Sequence, residues 1–204
     1  MPFGNILQRN TPVLLAGRLR HKIDLVQLTQ VQDSTGGVSL SNVVVYANVW
    51  ASIEALNGQE TLAAGQELST VSHQIVIRYI GAAPSWQALN NYSVGALCKD
   101  SNGNLQQVQS AGGLSGAAAP TWNVTQGQTT ADGNPSTGLT WLNLGKAPER
   151  TGVTSAMQVW YQGRVFQILA CQNADERNKS LILLTLEVND SRQQNTSAIP
   201  TGLQ

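Results

Sequence analysis

Residues 157–169 read Met157-Gln-Val-Trp-Tyr-Gln-Gly-Arg-Val-Phe-Gln-Ile-Leu169. Two runs rich in β-branched and aromatic residues flank the pair Gln162-Gly163. A glycine-containing pair between two such runs is typical of a two-residue β-hairpin turn. We therefore predict an antiparallel hairpin in this stretch and a mainly β protein around it.

Four further segments have the character of strands, either an apolar/polar period of two or a long β-branched or aliphatic run. They are Arg18–Leu28, Val43–Ile53, Val71–Ile80 and Leu181–Val188. In the first, Leu19, His21, Ile23 and Leu25 fall on one face, and Arg20, Lys22, Asp24 and Val26 fall on the other. About six short strands with few core positions predict a compact barrel or sandwich. We favour a small six-stranded β-barrel, because closure removes exposed strand edges.

The barrel pattern is interrupted between residues 81 and 147. This stretch holds four charged side chains (Lys99, Asp100, Asp132 and Lys146), whereas the whole chain has 24. It also holds Trp86, Trp122 and Trp141, three of the five tryptophans, and 10 of the 19 glycines. So few charges and so many glycines and tryptophans predict a small inserted β domain, whose core the aromatic side chains would supply.

The resulting domain plan has four parts. Residues 1–17 form an arm, residues 18–80 and 148–188 form the interrupted barrel, residues 81–147 form the insert, and residues 189–204 form a tail. We expect the two junctions of the insert to lie close together, since an insertion into a turn needs adjacent ends. Residues 58–69 contain mostly good helix formers, which predicts one short helix or loop excursion from the barrel.

Composition excludes several classes of protein. Formal net charge is zero, so the chain lacks the basic footprint of a nucleic-acid-binding protein. Cys98 and Cys171 stand far apart on either side of the second junction, which fits neither a disulfide framework nor a zinc site. The apolar run Val13–Ala16 is too short for a membrane span, so we expect no membrane association.

We find no catalytic constellation, and we expect neither enzymatic activity nor a cofactor or metal. His21 and His73 both fall on the apolar-bearing face of a predicted strand, which favours ordinary barrel-wall histidines. Asp175 and Glu176 have Arg177 and Lys179 beside them, so an ion-pair loop, solvated or between subunits, is favoured over a metal site. Trp86, Trp122 and Trp141 are either the core of the insert or a platform on which sugars stack.

Several segments, in their order and spacing, resemble the head-closure or head–tail joining proteins of tailed bacteriophages. They are Ala16–Leu25, Asp33–Gly37, Val49–Glu54, Gly58–Glu60, His73–Tyr79, Thr154–Ile168, Asn173–Asn178 and Leu181–Glu187. The insert, with its order Trp86, Tyr92, Gly95, Pro120-Thr-Trp122, Asp132-Gly133 and Trp141, resembles a small β module of phage structural proteins that is linked to carbohydrate binding.

The resemblance implies a ring of subunits beneath the portal, with a dodecamer preferred over a hexamer. The portal or an adaptor would lie above, tail proteins below, and packaged double-stranded DNA in the channel. It implies a location at the head–tail junction of the virion, after assembly in the bacterial cytoplasm. The alternative is a carbohydrate-binding virion module that the barrel merely anchors.

The same resemblance implies two sets of site residues. The segment between the second and third barrel strands would face the channel; its candidate residues are Glu54, Gln59, Glu60, Gln66 and Glu67. We expect Glu60 and Glu67 to face the lumen and repel the duplex, because a channel that grips phosphate would impede sliding. The candidate intersubunit residues are Val13, Leu14, Leu15, Asp175, Glu176 and Arg177.

Overall fold

The structure, a computed structural model, describes residues 16–32, 37–56, 71–110, 112–132 and 138–188. These residues form strands and two single turns of 3-10 helix, at Ala16–Arg18 and Ala174–Glu176. The strands are β1 (His21–Gln32), β2 (Val38–Ala55), β3 (His73–Arg78), β4 (Asn91–Tyr92), β5 (Leu97–Lys99), β6 (Asn104–Val108), β7 (Gly113–Leu114), β8 (Thr129–Ala131), β9 (Thr140–Lys146), β10 (Met157–Tyr161), β11 (Arg164–Asn173) and β12 (Ser180–Val188).

Six of these strands close into an antiparallel barrel in the order β1-β10-β11-β12-β3-β2. The predicted mainly β fold and six-stranded barrel are therefore confirmed. β2 is longer than the predicted strand, because it pairs with β1 as far as Val38 and with β3 as far as Ala55. The predicted helix or loop excursion lies at residues 58–69, outside the described residues.

The hairpin that decided the fold forms as predicted. β10 pairs with β11 from Gln158–Gln167 to Tyr161–Arg164. Gln162 and Gly163 connect them, with φ of 47° and 77°. Two successive positive φ angles match the right-handed twist of the strands, and glycine adopts the second at no steric cost.

The barrel interior holds the side chains that alternate inward from each strand. Ile75, Ile77, Leu181 and Leu183 are fully buried, as is Phe166 of β11. Burying each such aliphatic or aromatic side chain contributes about 1.5–3 kcal/mol. Because inward positions on neighbouring strands pack in one contiguous cluster, the barrel is filled by side chains and is not itself a pore.

β1 keeps the alternation that its sequence predicts, but part of its outer face is covered. Val26, expected on the polar face, is as fully buried as Leu25 yet does not belong to the barrel core. Pairing with β10 runs unbroken from Asp24 to Gln27, so Val26 faces away from Leu25 and is buried on the outer wall. Pairing with β2 is irregular, since its register shifts between Ile23 and Leu25 and again between Leu25 and Val26. At this irregularity the backbone N–H of Asn48, which has φ of 56°, donates to the Asp24 carboxylate over 2.8 Å.

The chain between β3 and β10 builds two small sheets, β4-β7 and β5-β6-β9-β8. Its two ends meet, as expected: Gly81 forms an antiparallel bridge with Thr151, and the N–H of Gly152 donates to the Ile80 carbonyl over 2.8 Å. A side chain at Gly152 would collide with the Tyr46 hydroxyl and with Ile80. The close approach of barrel wall and junction therefore requires glycine at this position.

These small sheets have a core of their own and also share the core of the barrel. Their own cluster contains Tyr92, Cys98, Val108, Trp122, Leu139 and Trp141. Leu105, Leu144 and Ala147, in contrast, belong to the barrel cluster. Two side-chain amides add polar links: Gln107 donates to the Val44 carbonyl over 2.9 Å, and Gln126 donates to the Leu28 carbonyl over 3.3 Å. The small sheets are thus packed onto the barrel wall.

Candidate functional site

One end of the barrel interior is closed by polar side chains. We call it the polar end and define it by His21, His73, Tyr161, Arg164 and Glu187. β1, β3 and β11 begin at this end, whereas β2, β10 and β12 finish there, so inward positions from these strands converge. The apolar core ends below them at Phe166, whose ring lies 4.8 Å from the Arg164 guanidinium carbon.

Arg164 and Glu187 form a two-pronged ion pair. Arg164 Nε donates to Glu187 Oε1 and Arg164 Nη2 donates to Oε2, each over 2.7 Å. The hydrogen bonds to Glu187 raise the pKa of Arg164, and those from Arg164 lower the pKa of Glu187. Such fork geometry fixes the position of both side chains, so the pair braces β11 against β12 at the polar end.

His73 completes this network as a neutral ring. Its Nε2 lies 3.2 Å from Arg164 Nη2, and because arginine can only donate, Nε2 is the acceptor. Its Nδ1 lies 2.9 Å from Ser72 Oγ, which also accepts the backbone N–H of Glu187 over 2.7 Å. Burial and the nearby Arg164 charge lower the pKa of His73, and the Glu187 charge only partly opposes them.

His21 is also satisfied within the wall, because its Nδ1 lies 2.8 Å from the Tyr161 hydroxyl and the two rings meet edge to face. His73, in contrast, has a serine and a carboxylate beside it, since its Nδ1 contacts Ser72 and its Nε2 lies 4.0 Å from Glu187 Oε2. Ser72 Oγ, however, is taken up by backbone groups of β12, donating to the Thr185 carbonyl over 3.3 Å, and Glu187 is paired with Arg164. The hydrogen bonds of the polar end therefore hold the ends of the barrel strands together.

The predicted channel-facing segment leaves the barrel from the polar end. The N–H of Leu56 donates to the Ser72 carbonyl over 3.0 Å, and the N–H of Ser72 donates to the Thr185 carbonyl over 2.9 Å. Residues 57–70 thus begin and end at a base that is hydrogen-bonded to β12. Glu54 is exposed near the end of β2. Gln59, Glu60, Gln66 and Glu67 lie outside the described residues.

The sugar platform expected as one alternative for the tryptophans is wrong for two of them. Trp141 is 0% exposed and Trp122 is 7% exposed. They stack edge to face with each other, at 5.9 Å between centroids, so neither has an open ring face for a pyranose. Trp86 is half-buried and meets Trp122 edge to face at 6.4 Å. Stacking of a sugar on Trp86 stays a prediction.

Asp132 organises this aromatic core, a role that the sequence did not reveal. Its carboxylate accepts the indole N–H of Trp141 over 2.9 Å and that of Trp86 over 3.3 Å, and it also accepts the backbone N–H of Gly116. The sequence favoured Asp132-Gly133 only as a turn. The sequence does contain one indication of this role. Acidic residues are scarce in residues 81–147, and a buried indole N–H needs an acceptor, so one of these few acids could have been expected to bond to a tryptophan.

Part of this chain matches a known protein family. A family model described as phage head completion protein matches residues 14–105. This part of the chain is similar to the phage head completion family. The match covers β1, β2 and β3 and extends into β6, and it supports a structural role in the phage head and a place in the virion. None of the curated proteins searched matches the chain.

The acidic loop between β11 and β12 is exposed and under backbone strain. Asp175, Glu176 and Asn178 have φ of 55°, 52° and 54°, a region that non-glycine residues rarely adopt. Asn173 holds the loop, because its amide donates to the Asn178 side-chain oxygen over 2.7 Å. Within the described ranges the ion pair is that of Arg164 with Glu187, with the neutral His73 ring 4.0 Å from the same carboxylate. A pairing of Asp175, Glu176 or Arg177 with another subunit stays a prediction, and Val13, Leu14 and Leu15 lie outside the described residues.

Metal-holding clusters and membrane-spanning helices are both absent from the described residues. No group of three or more His, Cys, Asp or Glu side chains there is arranged to hold a metal ion. No helix in the same residues has the length and apolar character needed to cross a bilayer.

Proposed function

We propose that this chain forms a ring in the neck of a tailed phage, between the portal or an adaptor above and tail proteins below. The ring joins head to tail and helps to retain the packaged double-stranded DNA. The observation that carries the proposal is the match of residues 14–105 to the head completion family. The closed barrel supports the proposal. Because a closed barrel has no free strand edge, its copies can pack side by side without one sheet pairing with the next.

The ring proposal gives the polar end a purpose. A segment that lines a channel and changes state with DNA passage needs low local stability on a firm base. The Leu56–Ser72 hydrogen bond and the Arg164–Glu187 pair supply that base. We therefore place Glu54, Gln59, Glu60, Gln66 and Glu67 towards the lumen, where Glu60 and Glu67 repel the phosphate backbone. We prefer twelve subunits to six, assembled in the bacterial cytoplasm.

Residues 81–147 are, in this proposal, an insert that enlarges the outer surface of the ring. Its junctions close at the Gly81–Thr151 bridge, and its Gln107 and Gln126 side chains bond to β2 and β1. An insert attached in this way adds contact area to portal, tail or capsid vertex without disturbing the closed barrel. The carbohydrate-binding alternative would need a ring face on Trp86, since Trp122 and Trp141 are buried.

The functional test uses DNA-filled heads from a phage in which this protein is not made. We expect their DNA to leak and to be degraded by added nuclease, and purified chain to restore protection. Protection without added chain, or leakage despite it, would contradict the proposal. A chain that leaves leakage unchanged yet binds cell-surface glycan through Trp86 would establish the alternative.

The channel assignment has its own test in the same heads. The double change Glu60→Lys and Glu67→Lys should slow DNA ejection, because each lysine near a phosphate adds affinity that impedes sliding. Glu149→Lys, at an exposed acid on the distant junction, is the matched control and should leave ejection unchanged. Equal ejection rates for both variants would place the segment away from the DNA.

A further inference from the structure

We infer that the outer wall of the barrel at β1, β2 and β3 is the surface that contacts the retained double-stranded DNA. We call it the basic wall and define it by Arg18, Arg20, Lys22, Trp50 and Arg78. The inference rests on the proposed function and assigns DNA retention, which that function requires, to particular side chains.

Three cations of the basic wall alternate with other residues along the chain that enters β1. They belong to the sequence Arg18-Leu-Arg-His-Lys22, and all three are exposed. Leu19 and Ile23 are buried, so Arg20 and Lys22, at the alternate positions, face outward. Positive charge is therefore concentrated on one side of this segment.

Trp50 and Arg78 continue the surface across the next two strands. Lys22 pairs with Trp50 of β2, and its Nζ lies 5.2 Å from the centre of the indole ring. Ala51 pairs with Ile77 of β3, so the exposed Arg78 follows beside Trp50. Trp50 is 49% exposed and lies outside both core clusters of the described residues. Its indole thus holds the Lys22 ammonium at the surface through a cation–π contact.

The wall is locally positive, although the chain as a whole has zero net charge. On the outward positions of β1, β2 and β3 that the structure describes, the acids are Asp24 and Glu54. The Asp24 carboxylate already accepts the backbone N–H of Asn48 over 2.8 Å. The four cations therefore outnumber the acids. A local stripe of Lys and Arg on one face is the electrostatic footprint of a DNA-binding surface.

The basic wall begins where the proposed channel segment leaves the barrel. His21 pairs with Ala51, and β2 ends at Ala55, shortly before this segment. The proposed function places residues 57–70 in the lumen. DNA that passes them therefore also passes the cations at the start of β1.

Double-stranded DNA suits this surface because its charge is continuous. The duplex carries one negative charge for about every 1.7 Å of its axis, so phosphates come within reach of the cations at every position. Contacts with phosphates carry no base-sequence information, as retention of a whole genome requires. Glu60 and Glu67, which we place in the lumen to repel the duplex, favour its movement, and the basic wall opposes it.

Binding of duplex DNA tests the surface directly. The test variant replaces three cations of the basic wall with glutamine: Arg18, Arg20 and Lys22. The control replaces three exposed cations that lie off β1, β2 and β3, so that both proteins have the same net charge: Lys146, Arg150 and Lys179. Fluorescence anisotropy would measure the affinity of each protein for a duplex of about 30 base pairs at salt concentrations from about 50 to 200 mM.

We expect the test variant to bind about tenfold or more weakly than the parent at the lowest salt concentration. The slope of log affinity against log salt concentration should become shallower by about 2–3, since each neutralised phosphate contributes about 0.9. The control should keep the affinity and the slope of the parent. Thermal unfolding of both variants should match that of the parent, because the replaced side chains are exposed.

DNA-filled heads that lack this protein provide the second readout. The parent chain and the control should protect the DNA from added nuclease equally well. The test variant should bind the heads in the same number of copies as the parent, but the DNA should leak faster, because fewer cations oppose its movement. Leakage at the parent rate would contradict the inference.

The outcomes separate this inference from the ring proposal. Equal DNA binding by the parent, the test variant and the control, or no binding by the parent at about 50 mM salt, overturns the inference and leaves the ring standing. Poly-glutamate is the second probe: if the parent binds it more tightly than DNA and the test variant does not, the wall binds an acidic protein segment and the inference is wrong. Heads that the parent chain does not protect overturn the ring proposal and the inference with it.

Discussion

At the polar end of the barrel, His73 accepts a hydrogen bond from the Arg164 guanidinium, which requires an unprotonated Nε2. Protonation would set a second positive charge against Arg164 and remove that acceptor. Burial and Arg164 lower the pKa of His73 below 6.5, so the unfolded chain binds this proton more readily than the folded one. His73 thus contributes stability above pH 6.5 that is lost as pH falls through its folded pKa.

We predict two steps in a plot of melting temperature against pH. The first, below pH 6.5, comes from His73. The second, below pH 4.5, comes from Glu187, whose pKa is lowered by hydrogen bonds from Arg164 and whose stabilisation is lost on protonation. Calorimetry of His73→Gln should show the second step without the first. Two unchanged steps in that variant would mean that His73 is not the titrating group.

The two cysteines should differ in reactivity. Cys98 is completely buried and its pKa is raised to about 12 by burial, with Asp100 and Asp132 adding to the effect. Cys171 is half-buried, and burial raises its pKa as well. Since the thiolate is the reactive form, an aromatic disulfide reagent at pH 8 should modify Cys171 slowly and Cys98 only on unfolding. Two fast-reacting thiols in the native protein would contradict this burial.

Individual residues are where prediction from the sequence fails most. Val26 lies on the outward face as expected, but the sequence could not show that it is buried there, because tertiary packing covers that face. Asp132 was seen only as a turn residue, since its partners Trp86, Trp141 and Gly116 are brought to it by tertiary packing. The histidines were interpreted correctly as wall residues, because their alternation placed them inward.

Among the elements, the β10–β11 hairpin was predictable in detail, because a two-residue turn is set by local chemistry. Gly163→Ala should lower the free energy of unfolding by about 1–2 kcal/mol, since an L residue pays that much at positive φ. The added methyl group meets no other atom, so the change in free energy reports the backbone strain of a positive φ and not a steric clash. Gly17→Ala, which also meets no atom and whose φ is not positive, is the control and should be near neutral. Equal values for the two in urea unfolding would contradict the turn geometry.

The tryptophan core of the small sheets depends on Asp132. Asp132→Ala would leave two indole N–H groups and the Gly116 N–H without an acceptor in a largely buried site. We expect a loss of about 3 kcal/mol or more. Exposed Glu149→Ala is the control, with a change within about 0.5 kcal/mol. Tryptophan fluorescence during urea unfolding measures both, and an Asp132→Ala midpoint equal to the parent would show that the carboxylate is dispensable.

For the whole molecule, composition showed where the barrel is interrupted, because charge density and glycine content change within a few residues. It could not show that Leu105, Leu144 and Ala147 join the barrel core. Nor could it show that Gln107 and Gln126 reach barrel carbonyls, because such contacts join residues about 60 and 100 positions apart. Which walls of the barrel face a neighbour likewise depends on strand order, which only the closed topology supplies.

Assembly of the chain around a channel is the central prediction. Native mass spectrometry of the purified protein, alone and with its portal, together with top-view electron-microscopy averages, measures this directly. We predict a closed ring of twelve or six copies, formed at the latest when the portal is present, with the polar end turned towards the central channel. A chain that stays monomeric in the presence of the portal would contradict the account.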